Sequence, residues 1–178
     1  MRHVLVTGGA GFIGSHTVRE LTARGYRVRV LDELRPPVHV ATSRPALAPE
    51  VELLVGSVDD RAALDRALDG VDSVLHLAAY QDYLPDFSTF YRVNTVGTAL
   101  LYELIVEKGL AVDRVVVAAT QAEYGEGPYW CDDHGLQHPD PRTEAQLQAQ
   151  RWEIACLVCG GPARPALATE ETVRPHST

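Results

Sequence analysis

A doubly wound α/β fold built on a parallel sheet is predicted for the first two thirds of this 178-residue chain. Two observations carry the prediction. Short β-rich apolar runs alternate with helical periodicities from residue 3 to residue 120, and the first strand-to-helix junction reads "TGGAGFIG", with Gly8, Gly11 and Gly14 spaced three apart. A third observation limits it. Past Gly125 the alternation stops, and a segment rich in Pro and Gly follows that holds every cysteine of the chain.

In order, "HVLVTG" reads as a strand, and "GFIGSHTVRELTARG" as a helix with Ile13, Val18 and Leu21 on one face and a stop at Gly25. "YRVRVLD" is a second strand, followed by a Pro-rich loop over residues 35–49. "VELLVG" is a third strand, and "DDRAALDRALDG" a helix with Asp59 or Asp60 at its N-terminus and Gly70 at its end. "VDSVLHLAA" is a fourth strand. A long helix is predicted over 86–108, with Val93, Val96, Leu100, Leu101, Leu104 and Ile105 as its apolar positions and Gly109 as its stop. "DRVVVAAT" is the fifth strand, and its unbroken apolar run is that of a strand covered on both faces. Within the aperiodic remainder only "TEAQLQAQRWE" predicts a short helix. The expected domains are 1–127 for the sheet, 128–165 for a cysteine-bearing insertion and 166–178 for a linker.

The formal net charge of -8 argues against broad binding of nucleic acid or anionic membrane, since both need phosphates neutralised by Lys and Arg. No apolar run approaches the roughly 18 residues of a membrane span. "MRHVLVTG" enters a strand directly, with no basic-then-apolar leader, so the expected location is cytoplasmic. Lysine occurs once, at Lys108.

The glycine spacing has a specific physical content. Gly8 permits the tight turn, Gly11 removes the Cβ that would block a pyrophosphate, and Gly14 lets helix and strand approach closely. The helix N-terminus then offers free N–H groups and a positive dipole end to phosphates. Asp32 closes the second strand about twenty residues further on, where a carboxylate accepts from the adenosine ribose hydroxyls and repels a 2'-phosphate. NAD is therefore expected over NADP, although Arg35 lies close in sequence. The competing possibilities are a glycine turn without a ligand and a solvated turn acid at Asp32.

"VTGGAGFIGSH", "HLAA", Asn94 and "AATQAEYGEG", taken together over residues 3–127, resemble the extended short-chain dehydrogenase/reductase family, specifically its NAD-dependent nucleotide-sugar epimerases and dehydratases. The resemblance implies a Rossmann domain in which Phe12 and Ile13 present backbone N–H groups to the pyrophosphate, Leu77, Ala78 and Ala79 line the cofactor, and Asn94 braces the active-site strands. It also implies a nucleotide-sugar substrate and a homodimer for the full-length enzyme. The family's usual Asp contact to adenine is replaced by Ser57, with Val58 still offering its backbone.

Thr120, four residues before Tyr124-Gly125, falls where the family keeps its catalytic Ser or Thr, whose hydroxyl bonds the sugar hydroxyl being oxidised. The family's base is the tyrosine of Tyr-x-x-x-Lys, tuned by its lysine. No such motif occurs here. Residue 104, four before Lys108, is leucine, and Tyr124 has Pro128 four places on. "VRPHST" resembles the approach to that tyrosine, so a fragment of a longer enzyme or an inactive truncation is expected, with an uncovered fifth strand that favours self-association. Gln121 and Ala122 stand where the dehydratases carry Asp-Glu, which favours 4-epimerisation over elimination. The stretch from "HLAAYQDY" to "LLYE" resembles a subgroup acting on dTDP-rhamnose or UDP-hexuronic acid. The rival reading is a non-catalytic NAD-binding, zinc-stabilised module acting through a partner.

Cys131-x-x-His134-Gly135 and Cys156-x-x-Cys159-Gly160 form two knuckles. Each lets two side chains converge on one ion, and the following Gly admits the turn. Together they make a tetrahedral set of three sulfurs and one nitrogen, suited to Zn(II) with no open position, hence a structural metal in a small zinc-ribbon-like insertion. Three free buried cysteines with a surface histidine is the alternative. A nucleic-acid-binding ribbon is a second, but Asp132, Asp133, Asp140, Glu144 and Glu153 match the local arginines in number or exceed them.

Overall fold

The computed structural model describes residues 2–36, 38–39, 45 and 47–172. The "VRPHST" stretch and part of the Pro-rich loop therefore lie outside the described residues. The chain divides into two compact units, Met1–Ala118 and Ala119–Thr178.

In the first unit, β1 (His3–Thr7), β2 (Arg27–Asp32), β3 (Glu52–Val55), β4 (Ser73–His76) and β5 (Arg114–Val117) form one sheet in the order β3-β2-β1-β4-β5, every pairing parallel. β1 is central and buried at all five positions, as a strand covered on both faces must be. Its alternation divides the core. Leu5 joins Leu31, Leu64, Leu68, Val74, Leu101 and Leu104 on one face, while Val4 and Val6 join Val18, Val28 and Val30 on the other.

Helix α1 (Phe12–Ala23) contributes Val18 to the second layer, and α2 (Arg61–Leu68) and α4 (Gly97–Glu107) cover the first. α2 starts where Asp60 accepts from the N–H groups of Ala62 and Ala63, at 2.9 and 3.2 Å, so Asp60 rather than Asp59 is the cap. Arg29 is buried, and Nη1 donates to the carbonyls of Ala67 and Asp69 at the end of α2.

The single helix predicted over 86–108 is a composite. α3 (Phe87–Phe90) runs into a π-helical segment, Tyr91–Val96, before α4 begins. The widened turn carries Asn94, and at Gly97 a Cβ would stand 2.7 Å from Val58 Cγ2, a close approach that only glycine permits. The fifth strand also differs from its sequence reading. β5 is an edge strand with Val116 and Val117 each more than two-fifths exposed, so the cover its apolar run predicts is not supplied by this unit.

The second unit has more order than its sequence predicts. β6 (Tyr129–Cys131) pairs antiparallel with β7 (Gly135–Gln137) and with β8 (Arg164–Pro165). α5 (Glu144–Gln148) occupies part of the predicted short helix, capped by Thr143. These strands are two or three residues long, below the length at which period-2 alternation can be read. No helix among the described residues is long and apolar enough to cross a membrane.

Candidate functional site

The cleft at the C-terminal ends of β1, β2 and β4 is built from the glycine turn outward. Gly8 has φ of +68°, and a Cβ there would stand 2.8 Å from the backbone of Ala78, so both conformation and space demand glycine. A Cβ on Gly14 would lie 2.1 Å from the Gly8 carbonyl oxygen, which is the close helix–strand packing expected of the third glycine. α1 begins after Gly11 with no side chain capping its first turn, leaving those N–H groups for an anion.

Asp32 is buried and does two things. Its Oδ2 accepts from the Ala10 N–H at 3.0 Å and its Oδ1 from the Leu34 N–H at 2.9 Å, so it ties the glycine turn to the end of β2. It also faces the cleft, with His39 Nε2 3.5 Å from Oδ1. The cleft has a volume of about 430 Å3. Gly8, Gly11, Phe12, Ile13, Gly14, Asp32, Ser57, Val58, Leu77, Ala78 and Ala79 all line it, as do Arg35, His39 and Tyr80. Arg35 lies over the Tyr80 ring, 5.5 Å from its centroid.

Asn94 does not line the cleft. Its side chain accepts from the Tyr80 N–H at 2.8 Å and donates to the Tyr80 carbonyl at 2.9 Å, holding the loop after β4 from behind. The Tyr80 hydroxyl donates to Asp86 at 2.7 Å, and that bond, with the surrounding carboxylates, raises the phenol above its ordinary pKa of 10.0.

Sequence reasoning passed over Thr7 and His76. Both are buried, and Thr7 Oγ1 lies 2.9 Å from His76 Nδ1. Burial lowers the imidazole below its ordinary 6.5, disfavouring the charged form. The available signal was a polar pair at the ends of two adjacent central strands, a place where apolar residues are the rule.

In the second unit, Thr120 is exposed and its Oγ1 accepts from the Ala122 N–H at 3.2 Å, capping a 3₁₀ turn over Gln121–Tyr124. Cys131 ends β6, His134 sits in the turn to β7, and Cys156 and Cys159 stand on a second turn next to the Ala155–Pro162 bridge. The four ligand atoms lie within 4.8 Å of one another. Cys131 Sγ is 3.7 Å from His134 Nδ1 and 3.9 Å from Cys159 Sγ, and Cys156 Sγ is 3.7 Å from His134 Nδ1.

A tetrahedron with metal–sulfur bonds of about 2.3 Å has edges of about 3.8 Å, which these three distances match. Gly135 and Gly160 take positive φ directly after His134 and Cys159, as the knuckle turns require. The amide N–H groups of Cys159 and Val158 point at Cys156 Sγ, 3.5 and 3.4 Å away. With the Gln137 side-chain amide, they lower that thiol to about 6, towards the thiolate a metal binds. Cys159 is raised. The Gly161 amide lowers it, but the Cys156 and Cys131 sulfurs and burial outweigh that effect.

Residues 4–145 match the NAD dependent epimerase/dehydratase family. Over 99% of its length the chain is 37% identical to a dTDP-L-rhamnose 4-epimerase of Burkholderia thailandensis, covering 49% of that protein. Over 96% it is 34% identical to a mouse sterol-4-alpha-carboxylate 3-dehydrogenase, decarboxylating, covering 44% of it. Among solved structures, a short-chain dehydrogenase/reductase superfamily protein of Agrobacterium tumefaciens with bound NAD superposes with a TM-score of 0.58 at 32% identity, over 84% of this chain and 42% of that one. The chain spans about half the length of the curated relatives it matches.

Proposed function

From the premise that the chain belongs to the NAD-dependent epimerase/dehydratase family, we propose that it is the cofactor-holding part of an NAD-dependent nucleotide-sugar 4-epimerase, with a dTDP-6-deoxyhexose as substrate class. The observation that carries this reading is a match that runs through both units, cysteine segment included, at 37% identity to a dTDP-L-rhamnose 4-epimerase. The chemistry that NAD would supply when bound is reversible hydride acceptance at C4 of the sugar, the hydroxyl proton going to a base that these 178 residues do not contain as Tyr-x-x-x-Lys. The chain's own part is to bind and orient. The free first-turn N–H groups of α1 receive the pyrophosphate, and Asp32 accepts from the adenosine ribose and disfavours a 2'-phosphate. Leu77 to Ala79 form the wall of the cleft, and Thr120 supplies a hydroxyl for the sugar. Zn(II) held by Cys131, His134, Cys156 and Cys159 serves as a structural ion, because four protein ligands leave no position for substrate or water.

Titration with NAD and NADP tests the cleft. NAD should bind, and NADP at least about tenfold more weakly, the cost of placing a phosphate against a buried carboxylate; absence of binding by either overturns the cofactor assignment. The 178 residues contain no Tyr-x-x-x-Lys, which favours a second reading as a non-catalytic NAD-binding module. Reading the coding DNA past Thr178 and assaying the encoded protein on dTDP-L-rhamnose separates the two. Turnover supports the epimerase, whereas NAD binding without turnover supports the module.

A further inference from the structure

One arrangement of the hydrogen bonds around His76 satisfies the most partners. Asn94 contributes a backbone carbonyl, which only accepts, so the Thr98 hydroxyl donates to it, at 2.9 Å. With that proton spent, Thr98 Oγ1 accepts from His76 Nε2–H, 3.1 Å away. His76 Nδ1 is then the bare nitrogen and accepts from the Thr7 hydroxyl at 2.9 Å. Thr7 Oγ1 keeps two lone pairs, and two backbone N–H groups face them at 3.2 Å, that of Ala78 and that of Leu77, which is shared with the Thr7 carbonyl at the same distance. The other tautomer would place an Nδ1–H against an oxygen that two backbone N–H groups already face, and would draw the Thr98 proton away from the Asn94 carbonyl. An imidazolium fails on the Thr7 side for the same reason.

We propose that His76 is a positioning residue of the dinucleotide cleft: a neutral, Nε2-protonated imidazole that locks the Thr7 hydroxyl and thereby holds the Leu77–Ala78 backbone against the glycine turn. The inference rests on the reading of the cleft as an NAD site. The mechanical link is direct. Gly8 packs so closely on Ala78 that a Cβ would stand 2.8 Å from its backbone nitrogen and Cα. A shift of that backbone therefore moves the turn that receives the phosphates. On the other side, Thr98 belongs to the same helical stretch as Asn94, whose side chain clamps Tyr80. His76 thus joins the floor of the cleft to the helix that braces its rim.

Two measurements on the full 178-residue chain test this. Long-range nitrogen–proton spectra of the labelled imidazoles at neutral pH should show His76 with Nε2 protonated and Nδ1 bare; an Nδ1–H tautomer or an imidazolium overturns the proposal. The second is NAD titration, with thermal melts, of His76→Asn and His76→Gln. Asparagine keeps an acceptor near the Nδ1 position, facing Thr7. Glutamine keeps a donor near the Nε2 position and leaves the Thr7 hydroxyl without its acceptor. His76→Gln should weaken NAD binding about fivefold to tenfold relative to His76→Asn, the effect of one lost buried hydrogen bond. Equal affinities, or the reverse order, would sink the proposal. If the variants fail to fold, the wild-type spectrum still decides. If wild-type protein binds no NAD, the cleft reading falls, while the spectrum separately reports the state of His76.

Discussion

The two units of this chain are held together by different physics. The first buries a layered set of branched aliphatics on both faces of a parallel sheet, with Leu5, Val6, Val30, Leu64, Val74, Leu101 and Leu104 all fully enclosed. Among the described residues of the second, the buried apolar side chains are Tyr129, Ile154 and the two cysteines Cys131 and Cys156. Trp130, Leu136, Trp152, Leu157 and Val158 are exposed there. Burial at roughly 25 cal/mol per Å2 suffices for the sheet, but nothing comparable exists around the short strands. The difference teaches where the proposed zinc would matter: the second unit has its Cys131, His134, Cys156 and Cys159 cluster where the first has a core.

Removing the metal is the largest test of that contrast. Structural zinc contributes on the order of 10 kcal/mol to small domains that depend on it. Chelation, or Cys156→Ser, should therefore expose residues 128–165 to proteolysis and hydrogen exchange while residues 3–117 stay protected. Elemental analysis should find one zinc in wild type and none in the variant. A metal-free second unit with unchanged protection would break the comparison. Next in size is Leu64→Ala, which removes a fully buried side chain from the first unit and should cost about 2–5 kcal/mol of its stability by denaturant titration. Zinc content should not change; if it does, the two stabilisations are coupled. The smallest is Asp60→Ala. It deletes the acceptor of two first-turn N–H groups of α2 and should cost about 1 kcal/mol, again in the first unit alone.

Much of the first unit could be read directly because its signals are local and repeated. Three glycines at fixed spacing, alternating strand and helix periods and an acid at the end of β2 each reflect constraints within a few residues; they pointed to Gly8, Gly11, Gly14 and Asp32, while Phe12, Ile13, Ser57, Val58 and Leu77 to Ala79 came from the family resemblance, and all of these line the cleft. Asn94 was expected among the cofactor-binding residues as a brace of the active-site strands; it lies outside the cleft lining and holds the backbone of Tyr80 instead. The interruption of the long helix was missed, because a π-helical turn leaves the apolar spacing nearly intact. The small sheet of the second unit was missed because two-residue and three-residue strands carry no period.

By itself the sequence determined the sheet and its order of elements, the glycine turn, the carboxylate at Asp32 and the pairing of two Cys/His knuckles, since turn geometry, hydrophobic period and knuckle spacing are properties of short segments. Only the tertiary structure decided that Thr7, His76 and Thr98 share one hydrogen-bond chain, and that Asp32 also ties down Ala10. It also decided that the four cysteine and histidine donor atoms come within 4.8 Å of one another. Apart from the local Cys131–His134 and Cys156–Cys159 approaches, those facts depend on atoms about 20 to 70 residues apart in sequence arriving within about 3–5 Å of each other, and hydrogen-bond saturation is a property of the assembled neighbourhood.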